Sequence, residues 1–112
     1  MYRVEFRFAG PDPREELRRA DQMPDGGWDE LAARLARLDR VSRHGAWTMQ
    51  ALRLIGERPG VRAAELAAAV GRDRASFKTD VRKLKELGLT ESLEVGYRLS
   101  PRGRALLERA GG

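Results

Sequence analysis

Cysteine is missing from the chain altogether, which removes disulfides, thiol nucleophiles and cysteine-ligated zinc or iron–sulfur sites from consideration. Histidine is nearly as scarce. The single copy, His44, sits in a Gly-flanked connector with no carboxylate at helical ligand spacing, so no metal site is expected. No Ser, His and acid arrangement, Gly-rich phosphate loop or paired-carboxylate motif occurs, so a protein that is not an enzyme and carries no cofactor is expected. Long apolar runs are missing too. The apolar residues, 41% of the chain, come in periodic patches, short of the roughly 20 consecutive residues that a bilayer span needs. The first residues, "MYRVEFRF", place a charge at every second position where a secretory leader carries an apolar block. These absences predict a cytoplasmic protein with no membrane partner. Aromatic residues are few, and Trp28 and Trp47 lie on apolar helix faces, which reads as core rather than as an effector pocket. The identity of any small-molecule effector stays open.

What the chain has in excess is positive charge. Its 112 residues suit one compact domain with an appended arm, and the formal net charge of +5 is unevenly spread. Residues 1–45 hold nine basic and nine acidic side chains, leaving thirteen basic against eight acidic for residues 46–112. The whole surplus lies in the second part. A localised positive field fits a polyanionic partner, with nucleic acid the commonest, although nineteen of the twenty-two basic residues are Arg, as GC-rich coding would also produce.

Periodicity divides the chain into short elements. In "YRVEFRF", Tyr2, Val4, Phe6 and Phe8 alternate with charges, the pattern of a half-buried strand in need of an edge to pair with. A connector with a short helix over 13–20 follows. "WDELAARLARLDRV" repeats Trp28, Leu31, Leu35, Leu38 and Val41 at three- and four-residue spacing, an amphipathic helix whose apolar face docks on the rest of the chain or on a second copy. A second helix is predicted over Trp47–Glu57 with Met49, Leu52 and Ile55 inward, and a third, small-residue helix in "AAELAAAVG". Gly71 supplies a tight turn. Asp73 then caps a fourth helix over 73–87, in which Phe77, Val81 and Leu84 share one buried face, with Asp80 beside them positioned to pair with a neighbouring Arg. Two short strands, over 89–93 and 97–99, are joined by a Gly-containing turn. Ser100 and Pro101 start a last helix.

The fourth helix lies in "GRDRASFKTDVRKLKELGLT", which carries six basic side chains. With Phe77, Val81 and Leu84 inward, Ala75, Ser76, Lys78, Thr79, Arg82 and Lys83 cover the outer and flanking surfaces, and Arg72 and Arg74 flank the helix start. Only Arg98 is basic in the strand pair, beside Glu91 and Glu94.

The stretch "LAAAVGRDRASFKTDVRKLKELGLTESLEVGYRLSPRGRALL" resembles the winged helix-turn-helix of MarR-like bacterial transcriptional regulators over residues 48–108. The features that carry it are the Leu-Ala pair before Gly71, the Asp73 cap, the inward stripe, "LGL", the hairpin and "YRLSPRG". The resemblance implies a mainly α fold with a small β component, and a DNA-binding regulator that places helix 73–87 in the major groove. Double-stranded DNA is then the partner, contacted by Arg72, Arg74, Ala75, Ser76, Lys78, Thr79, Arg82, Lys83 and Arg98. The alternative is a winged-helix protein-interaction module without sequence-specific DNA binding. Three features depart from the pattern: Arg62 stands where a Ser or Thr cap is usual, the wing is acidic, and the last helix is too short to dimerise. A homodimer would therefore be built from the 1–45 arm through Tyr2, Val4, Phe6, Phe8, Trp28, Leu31, Leu35 and Leu38, beside a 46–112 DNA-binding domain.

Overall fold

The computed structural model describes residues 23–111, which form five helices and one two-stranded antiparallel sheet. The order is α1 (Gly27–Val41), α2 (Thr48–Glu57), α3 (Ala63–Ala69), α4 (Arg74–Glu86), β1 (Thr90–Ser92), β2 (Tyr97–Leu99) and α5 (Pro101–Arg109). The chain is thus mainly α with a small β component. The strand and short helix read in residues 1–20 lie outside the described residues. No helix among the described residues is long and apolar enough to cross a membrane.

Helix α1 buries Leu31 and Leu35, four residues apart, and half-buries Trp28 and Leu38 on either side of them. The stripe ends there. Val41, expected on the same face, is 71% exposed: at 100° per residue it stands roughly 80° from Leu31, and the chain turns extended at Ser42. Leu31 and Leu35 belong to one core with Trp47, Leu52, Ile55 and Phe77. Among the described residues, α1 therefore packs into one core with the elements that follow it.

A non-local cap ties α1 to α2. No side chain at Trp47 caps α2; instead Asp39, on α1, accepts from the Trp47 and Thr48 backbone N–H groups at 2.8 and 2.9 Å and from the Thr48 hydroxyl at 2.9 Å. Free amides at a helix start need such acceptors, and here a neighbouring helix supplies them.

Between α3 and α4 the chain reverses at Gly71, whose φ of 69° lies in the left-handed region that favours glycine. Asp73 then caps α4 by accepting from the Ser76 N–H at 2.9 Å. The sheet pairs Thr90 with Leu99, Glu91 with Arg98 and Ser92 with Tyr97. Ser100 locks its far end, donating to the Gly88 carbonyl at 2.6 Å and accepting from the Gly103 N–H at 3.0 Å as the cap of α5. Gly103 itself packs against the Leu89 carbonyl so closely that an added Cβ would overlap the oxygen. The hairpin and α5 are in this way held against the C-terminal end of α4.

Candidate nucleic-acid interface

Helix α4 presents three surfaces with different chemistry. Phe77, Val81 and Leu84 are inward, and Asp80 is buried beside them. Toward the hairpin stand Arg74, Lys78 and Arg82, each four residues from the next and all exposed. None of the three makes an ion pair among the described residues. Between that flank and the opposite one lie Ala75 and Thr79, both exposed and short. The Thr79 hydroxyl donates back to the Ala75 carbonyl at 3.1 Å, so its proton is already used.

The third surface is neutralised internally. Arg72, expected at the surface beside the helix start, is 7% exposed at its side chain and reaches Asp80 at 2.6 Å. It also donates to the Ser76 hydroxyl at 3.1 Å, and its guanidinium lies 5.9 Å from the centre of the Phe77 ring. The cause is the turn: Gly71 folds the chain back so that Arg72 runs down the flank of α4, where it compensates a carboxylate that could not be buried alone. Arg72 is therefore held as the ion-pair partner of Asp80. Ser76, half-buried beside it, donates its hydroxyl to Asp73 at 2.8 Å and accepts from Arg72. These bonds from the Ser76 N–H and hydroxyl hold the Asp73 carboxyl below its ordinary value. Lys83 also bonds Asp80, at 3.1 Å, yet keeps 44% of its side chain exposed.

On the hairpin, Arg98 is held by Glu91 at 2.7 Å while remaining mostly exposed. Its guanidinium is thus already in an ion pair. A groove between the hairpin turn, the start of α3 and α4 brings Arg74 and Lys78 together with Arg62 and Tyr97, and with Glu94 as its acid. Neither Arg62 nor Tyr97 is among the DNA-contact residues that the resemblance implies. The signal for Arg62 was its departure from a capping residue: it precedes α3 without capping it and is exposed. Tyr97 is half-buried, and burial pushes its hydroxyl pKa up against the opposing pull of Arg74 and Arg82.

The α1 residues expected at a subunit contact lie in or beside the core. Leu31 and Leu35 are core, Leu38 is half-buried, and Trp28 is half-buried under the Arg109 guanidinium at 4.7 Å from its ring centre. Leu31 and Leu35 are thus covered by the chain's own core, while Trp28 and Leu38 stay partly exposed. Tyr2, Val4, Phe6 and Phe8 lie outside the described residues. Among the described residues no three His, Cys, Asp or Glu side chains come together as a metal-binding group.

Set against protein-family models, curated proteins and solved structures, the chain finds no match.

Proposed function

We propose that the protein is a sequence-specific DNA-binding transcriptional regulator of winged helix-turn-helix, MarR-like type, with α4 as the helix that enters the major groove. The observation that carries the reading is the contrast between the flanks of α4. Asp80 neutralises the cations packed beside it, whereas Arg74, Lys78 and Arg82 stand exposed and unpaired next to the short residues Ala75 and Thr79. Such an arrangement suits close approach to base edges with cations left over for phosphates or, at Arg82, for a guanine. Helix α3 braces α4 through the tight turn at Gly71, the relation that the helix-turn-helix needs. Titration of the full chain with random and genomic duplexes at 50 and 200 mM salt tests it. Binding that weakens steeply with salt is expected; no binding to either duplex overturns the reading.

A second reading, a protein-interaction module without sequence-specific DNA binding, draws on the hairpin alone. Its turn exposes Val95 and Glu94, and its one cation is already paired with Glu91. Under that reading the same titration shows no preference for any genomic duplex.

A further inference from the structure

We propose that α1 supplies a second phosphate-contacting flank beside α4, through Arg34 and Arg37. The proposal rests on the DNA-binding reading and extends it to a helix that the sequence resemblance leaves out.

A groove runs between α1 and the C-terminal half of α4, lined by Arg34, Arg37, Leu38, Lys83, Glu86 and Leu87. Its floor is half-buried Leu38 and Leu87, and its rim holds three cations against one carboxylate. Arg34 and Arg37 are three residues apart, so they share a face of α1. Both are exposed, and neither forms an ion pair among the described residues. Lys83 spends one of its three N–H donors on Asp80. The cations are also held in place: Leu31 and Leu35 anchor α1 in the core, and Asp39 fastens its last turn to α2.

Helix geometry sets the two flanks apart. Arg74 and Lys78 line the groove on the hairpin side of α4, with Arg82 near Tyr97 a turn further on, while Lys83 lies on the α1 side, with Ala75 and Thr79 between. A helix seated in a major groove about 12 Å wide runs between two phosphate strands. One strand then meets Arg74, Lys78 and Arg82, and the other meets Lys83 with Arg34 and Arg37. Glu86 sits in the second groove and offsets part of this charge, so Lys83 alone would leave that flank neutral. The two α1 arginines make it positive.

The test is DNA binding by the full chain with Arg34→Ala and Arg37→Ala combined, on random and genomic duplexes at 50 and 200 mM salt. Loss of two phosphate contacts, at a slope of about 0.9 each, predicts that the fall in affinity between the two salts shrinks by about tenfold. The weakening is expected to be equal on both duplexes. The Gln pair at the same positions, which keeps the side-chain stems without the charge, is expected to bind as weakly as the Ala pair. Parent-like affinity and salt slope in both double variants, while Lys78→Ala with Arg82→Ala binds more weakly, overturns the α1 flank and leaves the DNA-binding reading standing. Absence of salt-dependent binding by the parent chain overturns both together.

Discussion

Asp80 decides which cations of α4 are available. Its carboxylate is buried with Arg72 on one oxygen and Lys83 on the other, so the helix is fixed on the domain by the charges it withholds from solvent. Removing one member of a buried pair leaves the other uncompensated, which costs about 3–5 kcal/mol. Asp80→Ala is expected to lower the unfolding free energy by about 3 kcal/mol in urea denaturation, and Arg72→Met combined with Asp80→Leu to recover most of the loss. A parent-like midpoint for Asp80→Ala would show that the network adds nothing. From the sequence, Asp80 was legible as a residue beside the stripe that pairs with an Arg. Which Arg was not legible, because Arg72 and Asp80 are eight residues apart and meet only after the turn at Gly71 has reversed the chain. The same turn brings the Arg72 guanidinium onto Asp80, whereas the Ser76 hydroxyl is taken up locally by the Asp73 cap three residues earlier.

At the scale of elements, periodicity and capping residues were informative wherever the deciding interaction is local. Asp73 and Ser100 cap the helices they precede, and the stripe Phe77, Val81 and Leu84 is inward as its spacing requires. The start of α2 shows the other case. Its cap comes from Asp39, eight and nine residues earlier on another helix, and no pattern in the chain around Trp47 announces it. Helix α1 likewise showed an apolar face without saying what covers it, since a stripe looks the same against its own domain or a second copy. Asp39→Ala removes three hydrogen bonds to a charged acceptor at the α1–α2 junction. An expected loss of about 1.5–3 kcal/mol should appear in denaturant unfolding, together with faster amide exchange at Trp47 and Thr48. Unchanged exchange at those two amides would show that the Asp39 cap does not hold in solution.

For the whole molecule, the uneven distribution of charge along the chain becomes a distribution over surfaces. Part of the positive charge is paired, with Asp80 in the interior and with Glu91 at the surface, and exposed cations remain on α4 and in the grooves beside it. The α4 face was largely legible, because an inward stripe leaves few positions for the other side chains. The grooves were not, since they join α4 to Arg62, Tyr97, Arg34 and Arg37 from three other elements, and such meetings depend on packing. The central claim is that the exposed face of α4 reads DNA, and Arg82→Ala on the full chain tests it most directly. Equilibrium binding is measured by fluorescence anisotropy on a selected genomic duplex and on a random duplex, with the melting curve of the variant recorded alongside. If Arg82 grips a guanine, the genomic duplex loses about 1–3 kcal/mol of binding free energy and the random duplex loses less, so discrimination falls. Unchanged affinity for both duplexes in a variant that melts like the parent would contradict the account.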